Sequence, residues 1–515
     1  MGIWLWTFYF AVKLWLHLGN VIAIHFWPNL ALLLIAMPLT RASGFAPRWI
    51  RILRQAVAIP FGVGLLWYDS YLPPFLYSIH FLAQNIVLLS GGFVFEFARG
   101  FLASPGSVLV VVILMAVLFF ASRNRIHPTP IVLLALMVVL IQGPHLPPAL
   151  IAKAAARFYS RESIRVVSFD KDASGADFDI VIVQICSLSW DDLGVVGQPH
   201  PRLFDRANVL FTNFNSATSY STPAGLRLLR GSCGQVANSD LYDPWPRECF
   251  LIDQLRNVGY HTYAAFNTEP EYYGMSAGLT RMAHLDAPIP VKGVPEQMLS
   301  FDNQPVYQNG SLLGRWLALR QKDSAPRAML FYNSISLHGG GHWDRPGGWN
   351  IKRAAFYAKA LDDLGNDVQA FEDALAKSGH SAVVMIVPEH GAALRGSPIQ
   401  AADLRDIPLP SITLVPVAVR FIGPLFADTP VGLEVQRPSS YLALATMLSE
   451  LRSDPSIASD SRRLQRMLDE LPETDFMSET QHWKVFRLSE KYYLYGKDRT
   501  WGPLSEAVKS PDHGK

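Results

Sequence analysis

The chain has 515 residues, half of them hydrophobic and 17% charged, with a formal net charge of +2. That length allows two or three domains, and the near-neutral balance argues against nucleic acid as a partner. The charged fraction falls below the roughly 25% usual for soluble domains. The deficit is uneven, because residues 1–150 hold nearly all the long apolar runs.

A bilayer-spanning helix needs about 20 mostly apolar residues. Five spans are predicted on that rule, over Ile3–Leu18, Val21–Leu39, Ile50–Tyr68, Val108–Ala121 and Ile131–Leu146. The third opens with Arg51 and Arg54, whose long side chains are expected to snorkel. The apolar stretch Phe75–Leu102 carries Glu96 and Arg99 and reads as an interfacial or re-entrant segment, with a sixth span as the alternative. No small-residue cleavage site follows "MGIWLWTFYFAVKLW", so it does not read as a cleaved signal peptide. Basic residues mark cytoplasmic loops. Arg41, Arg48, Arg51 and Arg54 fall in one connection, and Arg123 and Arg125 in another. The opposite loops hold Asp69, Glu96 and Arg99. This places the N-terminus inside and everything after about residue 150 outside.

The expected organisation is therefore an α-helical transmembrane domain over 1–150, a charged linker over 151–179, and a periplasmic α/β domain over 180–515. The linker has room to begin as a short helix leaving the membrane. An oxidising compartment favours a disulfide between Cys233 and Cys249, two buried thiols being the alternative. Cys186 is left over.

In the outer part, strand and helix patterns alternate, as in an α/β domain. Buried strands are predicted at Ile180–Ile185, Thr262–Phe266, Met329–Asn333, Ala382–Val387 and Val415–Phe421. Helices are predicted at Pro223–Leu229, Phe250–Val258, Ser311–Arg320 and Ala354–Ser378. "HWKVFRLSEKYYLYG" reads as an antiparallel hairpin at the sheet's edge.

Open α/β sheets bind ligands at the C-terminal ends of their strands. Cys186 follows the first predicted strand, His338 and His342 follow the third, and Glu389 and His390 follow the fourth. A lone Cys or His is usually structural. Three strand ends carrying metal-capable groups are a stronger signal. Cys, His and Glu together suit zinc, whereas thiolate disfavours magnesium or calcium. A hydroxyl brought to zinc is acidified, so a serine becomes nucleophilic without a Ser-His-Asp arrangement.

"NFNSATSYSTPAGLRLLRGSCGQ" packs five serines and threonines into positions 216–222, then turns helical. Pro223 is read as the first helical residue, with Thr222 or Ser221 as its cap. Helix N-termini favour anions. A phosphate there favours Ser221, then Thr222, over Ser216 and Ser219.

Long motifs then carry a resemblance. "QICSLSWDDL", the serine-rich stretch, "FYNSISLHGGGH", "VPEHGAALRG", "LRDIPLPSIT" and "QRPSSYLA" are similar to the BcsG-type cellulose phosphoethanolamine transferases. These are inner-membrane proteins with a periplasmic domain of the alkaline-phosphatase/sulfatase superfamily. The resemblance spans essentially the whole chain. It implies Zn2+ held by Cys186, Glu389, His390 and Ser221, with Ser221 as nucleophile. It implies phosphatidylethanolamine as donor, cellulose as acceptor at a glucose 6-hydroxyl, and cellulose synthase subunits as partners. Tyr220, His338 and Arg405 match residues lining the family's site, and Cys233 and Cys249 match its cysteine pair. Thr222 and Ala392 stand where the family pattern has glycine, and residues 151–179 run shorter.

Two other readings remain. One keeps the fold but acts on another envelope glycan or lipid, as phosphoethanolamine, phosphoglycerol or sulfate chemistry would. The other is a catalytically silent scaffold of a cellulose-secretion complex. His342 is expected to be structural. Arg227 and Arg230 are expected on a solvated or membrane-facing side of their helix.

Overall fold

The structure, a computed structural model, describes residues 2–18, 22–37, 47–71, 75–76, 129–141, 146–170, 177–270, 272–343, 353–397, 399–400 and 402–504. The predicted span Val108–Ala121 and nearly all of 75–102 lie outside these residues. The chain forms two compact units. The first gathers the described residues before Pro148, together with a short stretch around Gly396–Ala402, and the second holds the rest.

In the first unit the helices are Gly2–Leu18, Phe26–Ala36, Arg48–Asp69 and Thr129–Ile141. Phe10, Leu32, Leu33, Leu65 and Leu136 form their shared core. Among the described residues, no helix is long and apolar enough to cross a membrane. Two charged residues sit differently from expectation. Arg54 does not reach for solvent but donates through Nε and Nη2 to the Ile35 carbonyl, at 3.0 and 2.9 Å. Asp69, expected in a loop, ends the third helix with its carboxylate fully buried. Lys13 Nζ lies 2.6 Å from one of its oxygens, His25 Nδ1 lies 2.7 Å from the other, and Asn29 Nδ2 donates at 2.7 Å. A buried charge is tolerated only when paired and hydrogen-bonded, and Lys13, also 2.7 Å from Asn29 Oδ1, meets that condition.

The second unit is built on a seven-stranded sheet. Its strands are β1 (Asp179–Ile185), β2 (Val209–Asn215), β3 (His261–Phe266), β6 (Ala328–Ser334), β7 (Ala382–Pro388), β8 (Leu414–Ile422) and β9 (Leu433–Val435). The missing numbers belong to a small hairpin, β4 (Glu296–Leu299) and β5 (Pro305–Tyr307). The order is β3-β6-β1-β7-β8-β2-β9. Only β8 runs against its neighbours. Every residue of β1, β6 and β7 is buried. That explains why these strands read as continuous apolar runs, because parallel strands are covered on both faces. Alternate residues of β1 feed two cores. Ile180 and Ile182 join Leu226, Leu255 and Met447 on one side. Val181, Val183 and Ile185 join Trp316, Leu364 and Phe371 on the other.

The predicted strands and helices of this domain are present within a few residues. Among the strands of the large sheet β2 is the main omission: "VLFTNFN" escaped the sequence analysis because Thr212 and Asn213 interrupt its apolar run. The helices Met275–Ala283, Tyr441–Ser453 and Ser461–Glu470 were also not predicted. The C-terminal hairpin is corrected. β11 (Lys484–Leu488) and β12 (Lys491–Tyr495) pair antiparallel, but inside a separate four-stranded sheet with β10 (Met477–Glu479) and β13 (Trp501–Pro503). The edges of the large sheet are β3 and β9 instead. The small sheet has its own apolar partner in the helix Pro148–Glu162, whose Phe158 ring lies 6.3 Å from that of Phe486.

One buried acid within this core carries a stability consequence. Glu372, on the helix Arg353–Lys377, is held at about 7 because burial raises it more than Arg420, at 4.0 Å, lowers it. A raised carboxylate contributes stability below its unfolded value, and that contribution is lost as pH rises through the folded value. Between about pH 4.5 and 8 the wild type therefore loses stability at this position. Glu372→Gln is expected to raise stability at pH 8 by about 1–3 kcal/mol and to flatten this pH slope, as read by urea denaturation at pH 5 and pH 8.

Candidate active site

The register of the sheet brings the site together. Ile185 lies opposite Ser334 on one side and Pro388 on the other, so β1, β6 and β7 end level. The next residues continue the pairing. Cys186 N–H donates to Ser334 O at 2.8 Å, and Glu389 N–H donates to Ile185 O at 2.8 Å. β2 ends on the same edge, because it is antiparallel to β8 and β8 is antiparallel to β7. The loop after β2 delivers Ser221.

Ser221 is the first residue of the helix Ser221–Leu229, with Tyr220 in extended backbone as its cap. The helix thus begins two residues before the expected start at Pro223. Proline is tolerated there because first-turn N–H groups have no intrahelical acceptor. Ser221 Oγ is 3.5 Å from Cys186 Sγ and 3.3 Å from His390 Nε2. The loop is fixed from below. Ala217 holds a positive φ of 61°, and Ser219 Oγ donates to the carbonyl of Arg405. Ser187, next to Cys186, also has a positive φ, 68°. Such backbone persists in non-glycine residues only where surroundings over-determine it, which is common around functional sites.

Cys186, Glu389 and His390 are fully buried, and their donor atoms lie within 4.8 Å of one another. Tetrahedral zinc sets N, S and O donors roughly 3.3–3.8 Å apart, so modest contraction suffices. His390 Nδ1 lies 3.0 Å from Gly391 O and donates to it, which leaves Nε2 facing Ser221 as the ligating atom. Glu389 Oε1 accepts from Asn333 Nδ2 at 2.6 Å, while Oε2 is buried with no hydrogen bond. Burial, then the Glu389 charge, pushes the Cys186 thiol up to about 12; burial raises the Glu389 carboxyl; and burial, then the Arg405 charge, drops the His390 imidazole well below its usual range. A divalent cation is what allows a buried thiol and carboxylate to ionise side by side. The orphaned Glu389 oxygen and the mixed donor set fit that ion.

Arg405 bridges the pocket. Its Nη1 donates to Ser187 Oγ at 2.9 Å, and Nη2 lies 3.4 Å from His338 Nε2. His338 Nδ1 donates to Gly339 O at 2.9 Å, so Nε2 carries the lone pair. Burial, then the Arg405 charge, lowers His338 to about 3, so the ring is neutral at neutral pH. Tyr220 is 39% exposed at the rim, its hydroxyl donating to Asp406 Oδ1 at 3.2 Å. His342 stands apart from the metal-capable group and pairs its backbone with Leu299. Cys233 and Cys249 are joined as a disulfide, and Cys186 is free.

Sequence reasoning missed four supporting residues. Asn333 holds Glu389. Asp192, fully buried, accepts from the N–H groups of Ala392 at 2.6 Å and Leu394 at 3.0 Å, shaping the loop after His390. Trp483 Nε1 donates to Asp406 Oδ2 at 2.6 Å and so steadies the partner of Tyr220. Phe301, in the turn between β4 and β5, stacks on His338 with ring centroids 5.3 Å apart. Asn333 ends a predicted strand and Asp192 sits in "SWDDL", so both were within reach of a strand-end search. Phe301 and Trp483 arrive from distant elements and leave no local signal.

The geometry sets a serine at a helix N-terminus against a buried Cys–Glu–His set of metal-capable groups. Comparison with known proteins supplies the family. Residues 6–141 match the cellulose biosynthesis protein BcsG N-terminal domain, and residues 144–501 match the BcsG C-terminal domain. The chain belongs to the BcsG family. Relatives include the cellulose biosynthesis proteins BcsG of Escherichia coli (strain K12) and Salmonella typhimurium (strain LT2). Each is 30% identical, over 97% of this chain and 96% of the relative. Among solved structures, it resembles the C-terminal periplasmic domain of EcEptC from Escherichia coli at 14% identity and TM-score 0.45, covering 65% of this chain and 96% of that one. It also resembles the integral membrane lipooligosaccharide phosphoethanolamine transferase A of Neisseria meningitidis, at 12% identity and TM-score 0.42, over 85% and 95%.

Replacing a residue that orients a metal ligand typically costs 10–100-fold in metal affinity. Asn333→Leu, close in size but unable to donate, is expected to weaken zinc affinity by about that factor, measured by competition with a chromophoric chelator.

Proposed function

We propose that the chain is a membrane-anchored, zinc-dependent transferase that moves phosphoethanolamine from phosphatidylethanolamine to a glucose 6-hydroxyl of cellulose. The observation that carries this reading is the convergence of Cys186, Ser221, Glu389 and His390 in one buried cluster, under Arg405 and His338. Family membership supports the cellulose acceptor, since both relatives are named for cellulose biosynthesis. The retained donor set weighs against a silent scaffold.

Cys186, Glu389 and His390, with Ser221 Oγ as the fourth donor, would hold the zinc ion. When bound, zinc supplies Lewis acidity that lowers the pKa of a neighbouring hydroxyl and draws charge from phosphoryl oxygens. Ser221 Oγ attacks the phosphorus of the donor lipid. The bond from phosphorus to the diacylglycerol oxygen breaks, and that oxygen leaves as the alcohol, carrying the proton that the Ser221 hydroxyl gives up. Arg405 holds the phosphoryl oxygens through charge-assisted hydrogen bonds, which its planar fork suits. Tyr220, at the rim, orients the headgroup. In the second step the 6-hydroxyl of the glucan attacks, the bond to Ser221 breaks, and neutral His338 accepts the acceptor's proton.

The domain order is read as a transmembrane part over 1–150 with about five spans, a linker over 151–179, and a periplasmic catalytic domain over 180–515. This gives the site access to outer-leaflet lipid and to extruded polysaccharide, and cellulose synthase subunits as neighbours.

Incubation of the detergent-purified protein with phosphatidylethanolamine is expected to leave phosphoethanolamine on the peptide containing Ser221, seen by mass spectrometry and lost after chelation. Ser221→Ala is expected to remove the adduct and lower turnover at least about 1000-fold. An adduct on Thr222 would move the nucleophile by one residue. No adduct on any residue of zinc-loaded protein would refute the transfer. In parallel, Cys186→Ala is expected to lose bound zinc, and full occupancy in that variant would remove Cys186 from the ligand set.

A further inference from the structure

Arg227 and Arg230 occupy the far end of the helix that starts at Ser221, and they do not face solvent or membrane as expected. Each is only 5% exposed. Their burial is unusual because neither guanidinium has a carboxylate within 4.0 Å among the described residues. Arg227 donates from Nη1 to the Val236 carbonyl at 3.0 Å, and Arg230 lies over the Trp245 ring at 3.7 Å. Nε and Nη2 of both remain buried without an acceptor, four N–H-bearing nitrogens in all. The two charges also oppose each other. Burial, then the neighbouring Arg227, pulls the Arg230 guanidinium down to about 10, against a weaker upward pull from Asp240.

Both side chains line one cavity of about 20 Å³. Glu162 reaches the same cavity, but its carboxylate is already engaged by Arg165 Nη1 at 2.8 Å, Arg161 Nε at 3.5 Å and the Gln235 N–H at 3.3 Å. Thr474 Oγ1, a further lining group, is buried without a hydrogen bond. Two adjacent buried cations with free donors call for negative charge. The space admits one or two waters or a single small ion, and is too tight for a tetrahedral oxyanion.

The geometry points to a small-anion site: the cavity lined by Arg227 and Arg230 takes one halide-sized monovalent anion, chloride being the abundant one. It lies apart from the Ser221 pocket, and nothing in the proposed transfer chemistry requires it. Its occupant neutralises the paired guanidinium charges and completes hydrogen bonds that both arginines leave open.

The test compares thermal unfolding of the detergent-solubilised full chain in sodium chloride and in sodium gluconate at equal ionic strength. Gluconate is too large for the cavity. Chloride is expected to raise the midpoint saturably by about 2–4 °C, with bromide acting alike and sulfate not. Arg227→Gln and Arg230→Gln are expected to abolish the chloride response. A response retained in both variants would place the ion elsewhere and overturn the assignment. Should either variant fail to fold, the chloride-35 NMR linewidth of the wild type decides, being expected to broaden with protein and sharpen on adding bromide. Equal midpoints in both salts, with no broadening, would leave the cavity to water and defeat the proposal.

Discussion

The level ends of β1, β6 and β7 are the constraint on which the site rests. Parallel pairing lets three strands far apart in sequence present their next residues on one edge. A slip of one residue in any of them would send alternate side chains to the wrong face. Complete burial on both faces enforces the register, because most apolar residues of these strands belong to one of two cores. The donor set is therefore a consequence of core packing. Cys186, Glu389 and His390 inherit their positions from the strands before them.

Burial has a second effect at the same edge. It removes the water that would let a thiol and a carboxylate ionise, and it holds both imidazoles neutral. The backbone then sets the ring tautomers. Gly339 and Gly391 carbonyls each take the Nδ1 proton, turning the two Nε2 atoms toward Arg405 and Ser221. Gly391 itself has no room for a side chain, since a Cβ there would press on Ser189 and on the Asp192 carboxylate at 2.7 Å. At Ala392 the commitments are made by the backbone, the N–H donating to Asp192 and the carbonyl accepting from Arg353 Nη2 at 3.4 Å, so the methyl group is accommodated.

Much of this domain was legible in sequence because parallel strands and strand-end ligands both leave local marks. β-branched runs located five strands, and chemistry at their ends located Cys186, His338, Glu389 and His390. What stayed hidden depended on partners from elsewhere. β2 is an apolar strand broken by two polar residues whose side chains face other segments. Arg227 and Arg230 carry charge at helical spacing, which reads as a surface until Trp245 and the neighbouring loop close over them. The hairpin at 484–495 was visible as a hairpin, but which sheet it joins depends on β10 and β13. Asp69 looked like a loop acid because its companions Lys13, His25 and Asn29 lie on other helices.

That last cluster bears on how the protein is made. Lys13 is synthesised long before Asp69, and no other described acid pairs with it. Until the third helix is complete, the first carries a positive charge with no counter-charge in an otherwise apolar segment. The first helix therefore has no settled place on its own. The nascent N-terminal unit stays incomplete until Asp69 arrives, and the pair then locks the first and third helices together in one event. A product ending between them would leave an unneutralised ammonium in apolar surroundings, which is costly to bury.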